Sequence, residues 1–155
     1  MVTLNQINDF LNSKKLAIAG VSRDQKKFGY LVFKDLKNKG YDVCPVNPNA
    51  EVIDDIKCYK NLSEIPGDYR NLLIVTPENK TMQVVMDAYN KGIKKIWIQQ
   101  KSENREILIY AKEKGLNLIY KRCIFMFTEP VTGGHKFHRT INKIFGNYPK
   151  LQKKN

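Results

Sequence analysis

Residues 16–49 read LAIAGVSRDQKKFGYLVFKDLKNKGYDVCPVNPN, and this stretch decides the fold. It opens on an apolar run that ends at Gly20. A polar, basic loop follows as far as Gly29. Val32, Phe33 and Leu36 then recur at helical spacing. Lys39-Gly40 closes that helix, and a second apolar run over 41–46 begins at once. Glycine supplies the left-handed conformation just past a helix end, and lysine suits the negative end of the helix dipole. Strand, glycine-bounded loop, helix and strand in this order make a βαβ unit. Strands that are apolar along their whole length are those covered on both faces of a parallel sheet.

The same punctuation recurs at Lys91-Gly92 and Lys114-Gly115, each time between an amphipathic stretch and an apolar one. Strands are expected near 16–20, 41–46, 72–76, 96–99 and 116–120. An N-terminal helix presents Leu4, Ile7, Phe10 and Leu11. Another presents Met82, Val85, Met86 and Tyr89, with Thr76 as its N-cap and Pro77 in its first turn. Ser102 is expected to cap a helix carrying Ile107, Tyr110 and Ala111. The stretch 49–71 is broken by Asp, Asn, Pro66 and Gly67, and one short helical turn is expected near 62–65. A last helix is expected from about Lys136, carrying Phe137, Ile141, Ile144 and Phe145. The pattern predicts an α/β, three-layer, Rossmann-like fold. Its parallel sheet has about five strands in the order 3-2-1-4-5. One domain over 1–148 and a basic tail over 149–155 are expected.

Charge and composition narrow the function classes. The net charge is +12, and residues 101–155 carry twelve Lys or Arg against four acids. A basic surface favours polyanions such as nucleic acid, anionic lipid or a phosphate-rich small molecule. Most of the lysines alternate with acids or apolar residues, as on solvated helix faces, which weighs against nucleic acid. No apolar run is long enough to span a bilayer, and the N-terminus lacks a signal-peptide core, so a soluble cytoplasmic protein is expected. Cys44, Cys58 and Cys123 form no C-x-x-C pair and are expected to be reduced thiols. Arg122 beside Cys123 is a minor sign of thiol reactivity.

In an open parallel sheet, ligands bind beyond the carboxyl ends of the strands at the switch in strand order. The first loop there contains Gly20, Val21, Ser22, Arg23, Lys26, Lys27, Phe28 and Gly29. The glycines let a ligand approach the backbone, helix-opening amides accept phosphate, and the cations add charge. It matches neither G-x-G-x-x-G nor a Walker A loop. The second loop carries Val46, Asn47 and Pro48 where an NAD-binding protein places an acid for the ribose. That argues against NAD. His135 and His138 lie three apart without a third ligand, so no metal site is expected. Ser22 has neither a nucleophile elbow nor an arranged histidine and acid, so no catalytic residue is expected.

These residues resemble the CoA-binding domain family, whose fold is shared by the CoA-binding domain of the succinyl-CoA synthetase alpha subunit. The likeness rests on residues 17–49, on IVTP at 74–77, IWIQQ at 96–100 and KRCIF at 121–125. It covers about residues 3–127. The resemblance implies coenzyme A, or a short acyl-CoA, held by Gly20–Ser22, Lys26–Gly29, Val46–Pro48, Thr76 with Pro77, and Gln99. With no catalytic residue expected, the function expected is non-catalytic binding, as a sensor, carrier or accessory subunit. Two alternatives stand beside it: a subunit of an acyl-CoA ligase or transferase completed by another chain, and a basic nucleic-acid-binding module.

Overall fold

The computed structural model describes residues 2–131, 133–144 and 148–152, without the side chains of Lys136, Phe137, His138, Ile141 and Ile144. Five parallel strands form the central sheet: β1 (Lys15–Ala19), β2 (Asp42–Val46), β5 (Asn71–Ile74), β6 (Lys95–Gln99) and β7 (Asn117–Arg122). Between β2 and β5 lies an antiparallel pair, β3 (Val52–Ile53) and β4 (Ile56–Lys57), followed by a 3₁₀ turn at Leu62–Glu64. The helices are α1 (Leu4–Asn12), α2 (Phe28–Asn38), α3 (Glu78–Lys91), α4 (Arg105–Glu113) and α5 (Gly133–Ile144). No helix among the described residues is long and apolar enough to cross a membrane.

Side-chain alternation along the strands divides the core into two layers. Leu16, Ile18, Leu73, Trp97 and Ile119 face one side and pack with α1 and α2. Ala17, Ala19, Leu72, Ile74, Ile96 and Ile98 face the other and pack with α3 and α4. Trp97 is fully buried, edge-on to Phe10 and Phe127 at 5.6 and 5.7 Å between ring centroids.

The three Lys-Gly junctions close their helices in one geometry. Gly40, Gly92 and Gly115 have φ of 79°, 83° and 65°. In each case the next residue donates back into the helix: Tyr41 N–H to Leu36, Ile93 to Ala88 and Leu116 to Ala111, at 3.0, 2.9 and 2.8 Å. This bond across the left-handed glycine ends the helix, and the strand starts after only three intervening residues in each case.

Three expectations need correction. The sheet order is β2-β1-β5-β6-β7, so the third long strand pairs with β1 and not with the outer side of β2 as the order 3-2-1-4-5 has it. The outer side of β2 instead meets a single parallel bridge, Val46 to Tyr59. A lone bridge sits there because 49–71 holds too many turn residues for a full strand. The α3 cap is Pro77, without a side-chain bond, while Thr76 Oγ1 pairs with Thr81 Oγ1 at 2.9 Å. Asn104, not Ser102, caps α4 by accepting from the Ile107 N–H at 3.0 Å.

The last helix begins at Gly133, three residues before Lys136. Phe145 lies outside the described residues. Residues 149–152 dock against α1: the Leu4 N–H donates to Lys150 O at 3.1 Å and Asn5 Nδ2 to Gln152 O at 3.3 Å.

Candidate functional site

β1 stands between β2 and β5, and the chain leaves it in one direction for β2 and later returns on the other side for β5. This is the switch point of the sheet, and Gly20 lies on it. Gly20 N–H donates to Val46 O at 3.1 Å and Val75 N–H to Ala19 O at 2.9 Å, which holds the three strand ends level.

Gly20 has φ +97°, a conformation that side chains resist. A Cβ there would stand 2.9 Å from Thr76 N and from the Val75 carbonyl carbon. A Cβ on Gly29 would stand 2.3 Å from the Gly20 carbonyl oxygen. The first turn of α2 is thus pressed onto the end of β1 at the place where a ligand would approach.

The helix starts are unlike one another. Thr3 closes α1 with a full capping box, and Asn104 caps α4. At α2 the cap position is Lys27, and at α3 it is Pro77; neither makes a side-chain capping bond. Among the described residues the Phe28, Gly29, Glu78 and Asn79 amides have no hydrogen-bond acceptor. An N-terminus with open amides and the positive end of a helix dipole attracts anions. Among the four helices whose caps are described, the two left open are the two that begin beside Gly20.

Gly20, Val46, Asn47, Pro48, Thr76 and Pro77 line one cleft of about 480 Å³. Asn47 is committed to the scaffold. Its Nδ2 donates to Val21 O at 2.6 Å and its Oδ1 accepts from the Asn49 N–H at 2.8 Å, so it ties the second loop to the first.

The other predicted residues lie elsewhere around this point. Val21 is fully buried. Ser22 Oγ accepts from the Asp24 N–H at 3.0 Å, and Asp24 Oδ1 accepts from the Lys26 N–H at 2.9 Å, so the loop is braced by its own side chains. Arg23, Lys26 and Lys27 are exposed and have no ion pair among the described residues. Phe28 sits at the outer edge, edge-on to Phe125 at 5.6 Å, and Phe125 in turn meets His135 at 4.8 Å. Gln99 is buried and its Oε1 accepts from the Ile124 N–H at 3.2 Å, a bond that anchors the segment after β7.

The cleft adds cations that the sequence reading missed, Lys60 and Lys80. Lys80 was discoverable: it falls in the first turn of a helix, where its charge opposes the dipole unless an anion lies between them. Lys60 was not, because its place depends on the irregular return to β2. The thiols offer no chemistry here. All three are buried, and burial pushes Cys44 up to about 12.

A model described as CoA binding domain matches residues 14–129. The alpha subunit of acetate–CoA ligase (ADP-forming) II from Pyrococcus furiosus is 34% identical over 126 residues, covering 74% of this chain and 28% of that protein. The chain spans between 12% and 28% of the length of this and the next two curated relatives. Among solved structures, a conserved hypothetical protein from Pyrococcus furiosus superposes with a TM-score of 0.69 and 37% identity, covering 71% of this chain and 95% of that one. A hypothetical protein from Pyrococcus horikoshii gives 0.72 and 32%, covering 80% and 87%.

Proposed function

The chain belongs to the CoA-binding domain family, and from that premise we propose that its coenzyme A lies across Gly20, between the open ends of α2 and α3. The observation that carries this reading is the pair of uncapped helix starts flanking a glycine with no room for a Cβ. Coenzyme A brings a diphosphate and a 3′-phosphate. Open helix amides serve a diphosphate by hydrogen bonding and by the dipole. In this reading Gly20, Ser22 and Gly29 receive the diphosphate. Val21, Val46, Asn47, Pro48, Thr76 and Pro77 shape the wall beside it. Arg23, Lys26, Lys27, Lys60 and Lys80 supply the countercharge. Phe28 flanks the far end and Gln99 supports it from below.

The choice of coenzyme A over NAD follows from Asn47. It is neutral, and both ends of its amide are used by the scaffold. No acid stands there to hold two ribose hydroxyls, and none repels a phosphorylated ribose. Among the described residues no nucleophile and base come together around the cleft, which supports binding without catalysis: a sensor, carrier or accessory role for coenzyme A or a short acyl-CoA.

A second reading is favoured by the ligase relatives: the domain serves as the CoA-holding part of an acyl-CoA ligase whose remaining parts lie on another chain. Calorimetric titration with coenzyme A, acetyl-CoA, NAD and ADP tests the first reading. Coenzyme A is expected to bind and NAD not to bind; the reverse order overturns it. Acyl-CoA formation from acid, nucleotide and coenzyme A by the chain alone would overturn the non-catalytic role.

A further inference from the structure

Helix α4 carries four charges, Arg105, Glu106, Lys112 and Glu113, all exposed, and none is in an ion pair among the described residues. Their spacing forbids pairing along the helix. Neighbours on a helix surface lie three or four residues apart. At those distances each of the four finds only Leu108, Ile109 or Tyr110 within α4. Between them stands Ile109, an isoleucine that is 47% exposed.

At 3.6 residues per turn, Arg105 and Lys112 fall on one side of the Ile109 line and Glu106 and Glu113 on the other. The contacts of α4 agree. Arg105 and Lys112 border an apolar groove of about 450 Å³ that runs to Leu118 and Tyr120 of the outermost strand, β7. On the opposite side Tyr110 meets Tyr89 of α3 at 6.3 Å. The helix therefore presents an apolar line with a basic flank and an acidic flank. Its nine residues sum to zero charge within a chain of net charge +12, and the C-cap Lys114 turns away from the Ile109 line onto the Tyr89 and Tyr110 rings, at 5.2 and 5.8 Å.

We propose that this face binds a second copy of the chain, α4 against α4 in parallel, about a twofold axis running along the helices. Such an axis sets Ile109 on Ile109 and turns each basic flank onto the acidic flank of the other copy. Arg105 then faces Glu106, and Lys112 faces Glu113, each pair occurring twice as an isologous contact requires. An antiparallel pairing would set like flanks together. The same axis brings the second copy's α3, with its exposed Met86 and Tyr89, to the side of α4 where the groove lies. A polyanionic partner would instead choose the strongly basic faces. Between two chains of net charge +12, a neutral, self-complementary face is a favoured place of contact.

Sedimentation equilibrium of the full chain over a wide concentration range tests this, with circular dichroism as the control for folding. The parent is expected to show a monomer–dimer equilibrium. Ile109→Glu, at an exposed position, is expected to leave a folded monomer. Arg105→Glu puts acid against acid on both sides of the twofold, and dimerisation should weaken by about tenfold or more. Arg105→Glu with Glu106→Arg re-forms the pairs with the net charge unchanged and should restore it. A parent that stays monomeric overturns the proposal. So does a dimer that is indifferent to Ile109→Glu, or one that the double exchange fails to rescue.

Discussion

The nearest atom to a side chain at position 29 would be the carbonyl oxygen of Gly20, at 2.3 Å from the Cβ. Real Cβ atoms do not approach backbone that closely, so the two glycines are one structural element. Gly29→Ala must push α2 away from the end of β1. Overpacking of this kind costs about 1–3 kcal/mol, and urea denaturation should read it. Ligand binding should fall with it, because the displaced turn is the one that offers its amides. Gly20→Val adds strain at φ +97° and a clash with Thr76, so it too should lower stability rather than act as a clean block.

The cations around the cleft should separate by role. A charge-assisted hydrogen bond contributes about 1.5–3 kcal/mol, whereas a solvated lysine nearby contributes little. Lys80→Ala and the contacting member of Lys26 and Lys27 should each weaken coenzyme A by roughly ten- to a hundredfold. Arg23→Ala should change affinity less. Calorimetry at two salt concentrations distinguishes the cases, since a direct contact survives salt that screens a distant charge. Parent-like affinity in Lys80→Ala, Lys26→Ala and Lys27→Ala together would place the ligand elsewhere.

Alkali should destabilise the protein through Cys44. Burial holds the folded thiol up to about 12, while the unfolded thiol ionises near 9.0. Between these values the folded state binds the extra proton and the unfolded state does not. Stability is therefore complete below about 9 and is lost progressively as pH rises toward 12. Tyr69, raised by burial and by its bond to Asp42, acts in the same direction. Cys44→Ala should flatten the alkaline limb of a stability–pH curve.

The C-terminal segment should matter to the N-terminal helix. Lys150 O accepts from Leu4, and Pro149 is buried. Ending the chain after Tyr148 should leave the fold but remove an acceptor whose net contribution is about 0.5–1.5 kcal/mol. Hydrogen exchange of the first turn of α1 should quicken, with little change in β1 or β5.

What the sequence disclosed depended on whether a signal was local. The Lys-Gly junctions carry their geometry in two residues, so Gly40, Gly92 and Gly115 were readable as helix ends. Gly20 and Gly29 were readable as the two bounds of the loop between strand and helix for the same reason. Caps were less so: Thr76 looks like an N-cap, but its hydroxyl had a better partner in Thr81, which only the folded helix brings near. The position of β5 beside β1 was not legible, because pairing between strands is a property of the crossovers and not of the strands. Lys60 entered the cleft by the Val46–Tyr59 bridge, a contact across an irregular stretch with no periodic pattern to announce it.

The missing caps on α2 and α3 have a consequence for the life of the molecule. A side-chain cap is worth about 1 kcal/mol, so two vacant ones leave the empty domain poorer by about 2 kcal/mol than its architecture permits. In the proposed site, an anion between Gly20, Phe28 and Asn79 would do for both helices at once what Thr3 does for α1. Binding there would lower the population of locally opened protein, so protection from proteolysis is expected to rise with ligand concentration.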